Sequence, residues 1–195
     1  MIDLRSDTIT KPCDKMLDFM LHAKVGDDVY GEDLTVKELE NKIANFFGME
    51  SAMFFPSGTM ANQTAVKIHT NPGDQVVAHE YSHVYNYEGG GASFNSGVSF
   101  KLLQGKKGIF NPDQLKYAIN PKNFYHSPLT KLVSLENTTN KGGGHCWDVK
   151  HFEEIKFICD ENGLGFHMDG ARVWNSIVAK DNKPWLLKQS ATLAV

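Results

Sequence analysis

The chain has 195 residues, of which 41% are hydrophobic and 22% charged. That is ordinary soluble-protein usage with enough apolar surface for one core, and it excludes a collagen, a disordered tail and a disulfide miniprotein. Lys and Arg number 20 against 23 Asp and Glu, a net charge of −3, and basic residues gather no further than pairs such as Lys106-Lys107. A nucleic-acid footprint needs a concentrated basic surface, so none is expected.

The N-terminus reads Met-Ile-Asp-Leu-Arg-Ser-Asp, with acid where a signal peptide requires positive charge and then an apolar run. Apolar stretches such as Ala52 to Phe55 fall far short of a membrane span. Cys13, Cys146 and Cys159 form no CxxC pair, and a sparse, odd set suits a reducing compartment, so cytoplasm is the default.

The spacing predicts a first clear helix from Thr35, where Thr35 and Glu38 have capping-box separation. Val36, Leu39, Ile43, Phe46 and Phe47 recur at helical spacing and Gly48 stops the run. Ala52 to Phe55 reads as a short strand, broken by Pro56-Ser57-Gly58. A helix from Thr59 to His69 ends at Asn71-Pro72-Gly73-Asp74, and Gln75 to Ala78 reads as a strand. Ser82 to Tyr87 reads as helix before Gly89 to Gly91, and Ser99 to Gln104 as strand. Asn111, Pro112 and Gln114 carry helix-start chemistry. Leu132 to Leu135 is a strand ending at Glu136-Asn137. Asp148 caps a long helix with Val149, Phe152, Ile155, Phe157, Ile158 and Cys159 as its apolar face, closed by Gly163. Leu164 to Met168 is a strand that runs into Asp169-Gly170-Ala171-Arg172 before a last helix. Strands alternating with helices predict an α/β fold with a largely parallel sheet, whose ligands sit at the carboxyl ends of strands.

Three strand ends carry polar, glycine-rich sequence. At Phe55 to Asn62 a tight turn precedes a helix, and its free N–H groups and positive end favour phosphate, although an ordinary turn and cap has the same pattern. At His79-Glu80-Tyr81-Ser82-His83 the histidines lie four apart, but no third ligand stands nearby and no metal is expected. At His167-Met168-Asp169-Gly170-Ala171-Arg172 a carboxylate ends a strand beside an arginine. It is either a simple ion pair or an acid kept ionised for a cationic ligand atom. A phosphate cradle together with such an acid suits pyridoxal phosphate, which needs a phosphate site, a flat face and an acid at its pyridine nitrogen.

The run Ile2-Asp3-Leu4-Arg5-Ser6-Asp7-Thr8 is followed by Gly26 to Asp33, Pro56 to Asn62, Leu135-Glu136-Asn137-Thr138 and His167 to Arg172. On these motifs, in this order, the sequence resembles the threonine aldolases, a branch of the fold-type-I pyridoxal-phosphate enzymes. The resemblance implies a three-layer sandwich with a mostly parallel central sheet, the cofactor-binding large domain of that fold type. It implies aldol cleavage of L-threonine or L-allo-threonine to glycine and acetaldehyde, with pyridoxal 5'-phosphate as cofactor. Ser57, Gly58 and Thr59 would form the phosphate cradle, His83 would stack on the cofactor, and Asp169 would face the pyridine nitrogen. Arg172, with Ser6, would hold the substrate carboxylate or the cofactor's phenolic oxygen. His126 would stand near the substrate hydroxyl, Glu88 near the same region, and Tyr30 in a segment that reaches a neighbouring subunit's site. His83 or His126 would take the hydroxyl proton. Thr139 departs from the family, which often has histidine there. A homotetramer, a dimer of dimers, is implied as well.

The family also carries its cofactor on a lysine in a later Ser-Lys-Gly segment. Lys180, Lys183 and Lys188 lack that context and read as solvated. Residues 1–195 therefore read as the N-terminal segment and most of the large domain, without the lysine segment or the small C-terminal domain, and alone are expected to be inactive. Two further readings stay open: a non-catalytic cofactor-binding or assembly module, and a β-eliminating amino-acid lyase of the same fold.

Overall fold

A computed structural model describes residues 2–181 and 192–195, so Lys183 and Lys188 lie outside the described residues. The chain divides into two units, Met1–Ala44 with Ser51–Phe54, and Asn45–Glu50 with Phe55–Val195.

The first unit holds a 3-10 turn at Asp7–Ile9, helix α1 at Asp14–Leu21 and most of helix α2, Leu34–Phe47. The cap of α2 is Asp33, not Thr35 as the capping-box spacing suggested. Asp33 Oδ1 accepts the Val36 N–H at 2.9 Å and Oδ2 accepts the Gly26 N–H at 3.3 Å. A carboxylate is a stronger acceptor at the positive helix end than a hydroxyl. The Thr35 hydroxyl donates instead to the Lys24 carbonyl at 2.6 Å. Those N–H groups, Val36 foremost, hold the Asp33 carboxyl below its ordinary pKa. The strand expected over Ala52 to Phe55 does not form. The Phe54 N–H goes to Glu40 Oε1 at 2.8 Å, so the extended run spends a backbone donor on a side chain rather than on a ladder.

The second unit is built on five strands: β1 Gln75–His79, β2 Ser99–Leu103, β3 Thr130–Glu136, β4 Gly165–Asp169 and β5 Thr192–Ala194. They lie in the order β2-β1-β3-β4-β5 and every neighbouring pair is parallel. Helix α3 Gly58–His69 precedes β1, and helices α4 His83–Asn86, α5 Gly91–Ser96, α6 Pro112–Ala118, α7 Val149–Asn162 and α8 Val173–Lys180 fall between successive strands. Side chains alternate across a strand, and β4 shows what each face meets. His167 and Asp169 bond to Asn62 of α3, whereas the Phe166 ring packs 4.9 Å from Phe152 of α7. Helices α3 and α7 therefore cover opposite faces, giving the three layers expected. A sheet covered twice buries continuous apolar runs, which explains Val76-Val77-Ala78 and Leu132-Val133.

Most elements begin and end close to where the sequence puts them. The Asn111–Gln114 capping box is made in both directions, at 2.8 and 2.9 Å. Helix α5 was not expected. It starts after Gly90, whose φ of +71° is left-handed and natural for glycine. Phe157 is not on the buried face of α7: it is 64% exposed, while Phe152, Ile155, Ile158 and Cys159 are buried. Two residues beyond Ile155, it points around the helix from that stripe. Among the described residues no helix is long and apolar enough to cross a membrane.

From β1 the chain goes first to β2 on one side and then to β3 on the other. Parallel sheets bind ligands outside the carboxyl ends of strands at such a reversal. His79, Glu136 and Asp169 end β1, β3 and β4 there.

Candidate active site

Asp169 is 5% exposed at the end of β4. Its Oδ1 accepts the Ala171 N–H at 3.2 Å and its Oδ2 accepts Asn62 Nδ2 at 3.0 Å. A buried carboxylate needs such donors to remain charged. Each oxygen keeps a further lone pair, which a cationic N–H of a ligand can meet.

The loop after β1 brings His83 to the same edge. Its backbone N–H donates to Glu136 Oε2 at 3.1 Å, and its ring Nδ1 lies 3.2 Å from Glu88 Oε1. A ring nitrogen facing a carboxylate carries the hydrogen. The ring is 36% exposed, so one part is anchored and another is open. Glu136 Oε1 also accepts the Asn140 N–H at 2.8 Å. Burial pushes the Glu136 carboxyl above its ordinary pKa, against these hydrogen bonds and with the help of nearby Asp169.

Glu88 occupies a different place from the substrate contact expected of it. Its side chain is fully buried, and Asn62 Nδ2, Gln63 Nε2 and His83 Nδ1 surround it at 2.8, 2.6 and 3.2 Å. Its oxygens are committed to holding neighbours. One atom each from His83, Glu88 and Asp169 lie within 4.8 Å of one another, a separation suited to a cation. The Asn62 amide already donates to both carboxylates in that cluster.

The phosphate-type turn is Ser57-Gly58-Thr59, all exposed at the start of α3. Ser57 is the N-cap, its Oγ accepting the Met60 N–H at 3.2 Å. The Gly58 and Thr59 N–H groups precede any carbonyl that the helix can offer them. A methyl group built on Gly58 meets nothing within 4 Å, so the approach to these donors is open. Asn62 lies four residues beyond Gly58, about 6 Å along the same helix. One helix thus supplies the anion site at its tip and the partner of Asp169 one turn further in.

The other expected residues are placed as follows. Arg172 is half-buried and directly precedes α8. His126 is not brought to this cluster. It precedes β3, which rises about 20 Å from its first to its last residue, so His126 sits on the amino side of the sheet. There its exposed ring lies 3.9 Å from that of Tyr125. Ser6 and Tyr30 belong to the first unit. Ser6 Oγ accepts the Thr8 N–H at 3.2 Å, and Tyr30 is 78% exposed. His79 is a satisfied core histidine: Nδ1 accepts the Tyr81 N–H at 3.0 Å and Nε2 faces the Gly105 carbonyl at 3.3 Å. Thr139, the family departure, is buried and donates to the Lys107 carbonyl at 2.8 Å.

Asn62, His167 and Glu136 are site residues to which the sequence assigned no role. A signal for the first was present: Asn62, Ala65, Val66 and His69 fall at helical spacing on α3, an apolar stripe with polar ends.

The sequence pattern of a family described as beta-eliminating lyase matches residues 3–188. A probable low-specificity L-threonine aldolase of Arabidopsis thaliana is 40% identical over 181 residues, covering 91% of this chain and 51% of the relative. A low specificity L-threonine aldolase of Escherichia coli is 39% identical over 180 residues, covering 92% and 53%. A threonine aldolase structure from Leishmania major superposes with a TM-score of 0.74 at 24% identity, over 84% of this chain and 48% of that one, a likeness of fold. The chain spans about half the length of the curated relatives it matches.

Proposed function

The chain belongs to the beta-eliminating lyase family, and from that premise we propose that it supplies the phosphate and ring-nitrogen half of a pyridoxal 5'-phosphate site. We further propose that the whole protein cleaves L-threonine or L-allo-threonine to glycine and acetaldehyde, as the names of its aldolase relatives suggest. The observation that carries this reading is the double use of α3, with open N–H donors at its tip and Asn62 on the Asp169 carboxylate one turn on.

The donor set fits the group. The Gly58 and Thr59 N–H groups and the Ser57 hydroxyl hold its phosphate. Asp169, fixed through both oxygens, keeps a proton on its ring nitrogen. When bound, the cofactor supplies an electron sink for the electron pair of the breaking Cα–Cβ bond. His83, its Nδ1 anchored on Glu88, covers the ring face and takes the β-hydroxyl proton at Nε2. Arg172 binds the substrate carboxylate. A homotetramer and a cytoplasmic setting go with this reading, the latter supported by three unpaired thiols.

The test is product analysis of the whole protein with pyridoxal phosphate and each threonine diastereomer. Acetaldehyde and glycine in equal amounts are expected. The family description itself favours a second reading, β-elimination, and release of a 2-oxo acid with ammonia would replace the aldolase reading by that one. Saturable cofactor binding with neither product would leave a non-catalytic module.

A further inference from the structure

Deep to Asp169 runs a line of side chains that the proposed chemistry does not use. His69 Nε2 lies 3.2 Å from Thr192 Oγ1, Thr192 Oγ1 lies 2.9 Å from His167 Nδ1, and His167 Nε2 lies 2.9 Å from Asn62 Oδ1. Asn62 Nδ2 then reaches Glu88 Oε1 at 2.8 Å and Asp169 Oδ2 at 3.0 Å. His167 is wholly buried between β3 and β5 on the α3 face, and Asn62 and Glu88 are buried beside it.

The direction of every bond in this line follows from its acidic end. Two carboxylates accept from one atom of Asn62, so that atom is the nitrogen, and Oδ1 is turned to His167. Oδ1 has no hydrogen, so His167 Nε2 must donate. Burial drives the His167 pKa down to about 4, so the ring is neutral near pH 7 and Nδ1 is an acceptor. The Thr192 hydroxyl donates to it and keeps its lone pairs for an N–H from His69, whose charged form burial also disfavours. A flip of Asn62 would set a carbonyl oxygen against two carboxylates.

We propose that Asn62 is a positioning residue, held in one orientation by a one-way hydrogen-bond chain from His69 through Thr192 and His167, and that it fixes Asp169 and Glu88 as a separated pair of acceptors. Two carboxylates with oxygens within 4.8 Å of one another repel unless a donor stands between them. A neutral amide with two N–H groups bridges them with no proton to give up. Asn62 thereby serves both the acid for the cofactor nitrogen and, through Glu88, the Nδ1 anchor of His83. The bond directions stand on this structure alone, whereas their consequence for the cofactor rests on the pyridoxal-phosphate reading.

The test is NMR of the 15N-histidine-labelled protein without cofactor at pH 7, with His69 and His167 assigned from His69→Gln and His167→Gln. Both rings are expected as neutral Nε2–H tautomers, with His167 still neutral at pH 5.5. In Asn62→Leu, which has the volume but no acceptor, His167 is expected to populate its Nδ1–H form. Pyridoxal-phosphate affinity should fall about tenfold or more with the lost charge-assisted bonds. A purely packing role would leave the tautomer unchanged. An imidazolium or an Nδ1–H His167 in the unsubstituted protein overturns the proposal, as does an Asn62→Leu protein that keeps both tautomer and affinity. Should Asn62→Leu fail to fold, the tautomers of the unsubstituted protein still decide. Should the unsubstituted protein bind no pyridoxal phosphate, the functional reading falls and the tautomers test the chain by themselves.

Discussion

His167 sets a pH dependence on the whole second unit. Its folded pKa, about 4, lies below the ordinary 6.5, so the unfolded chain binds a proton that the folded chain refuses. Stability from this group is complete above pH 6.5 and is lost as pH falls through 4, about 3 kcal/mol in all. Glu136 works in the opposite sense: its raised pKa means that its burial cost is relieved by protonation, so it does not add to the acid loss. Denaturant midpoints measured from pH 7 to pH 4 should fall, and His167→Gln should flatten that slope. An equally steep slope in the variant would remove His167 as its source. The placement of Asp169 and His83 at strand ends was legible because each follows a short apolar run in sequence. The roles of Asn62, His167 and Glu136 were not, because they arise from contacts across the fold: Asn62 and Asp169 are 107 residues apart in sequence.

Helix α3 carries the site at the scale of elements, and its first turn has two jobs. Ser57 caps the helix and its hydroxyl hydrogen remains available to an anion. Ser57→Ala should cost about 1 kcal/mol of stability and weaken pyridoxal-phosphate binding as well. Asn111→Ala removes a comparable cap from α6, which follows the edge strand β2, and should cost a similar amount with no change in binding. Thermal melts and cofactor titrations of the two variants separate capping from ligation, and equal effects on binding would deny Ser57 its second job. Both caps could be read from sequence because the signal is local, a polar residue ahead of an apolar repeat. Ala52 to Phe55 was misread because four apolar residues fit a strand equally well whether or not a neighbour pairs with them. Only tertiary context, here Glu40 on the Phe54 N–H, decides that. Helix α5 was missed because Gly89 to Gly91 reads as a break, while the left-handed Gly90 starts a helix.

For the molecule as a whole, alternation of strands and helices made the parallel sheet legible, but not the strand order that makes β1 and β3 flank a crevice. The three thiols report on the packing of that sheet. Cys13 is exposed, while Cys159 is buried on α7 with its pKa pushed up to about 12. An alkylating reagent at neutral pH should modify Cys13 rapidly and Cys159 only after denaturation. Rapid native labelling of Cys159 would contradict the packing of α7 on the sheet. The central claim is that the carboxyl edge, from the α3 tip to Asp169, receives pyridoxal 5'-phosphate. Equilibrium dialysis of the protein with pyridoxal phosphate and with phosphate-free pyridoxal, repeated on Asp169→Ala, tests it most directly. Saturable binding of the phosphate form is expected, weaker by about tenfold or more without the phosphate and again without the Asp169 carboxylate. Equal affinity for the two ligands, or unchanged binding in Asp169→Ala, would contradict it.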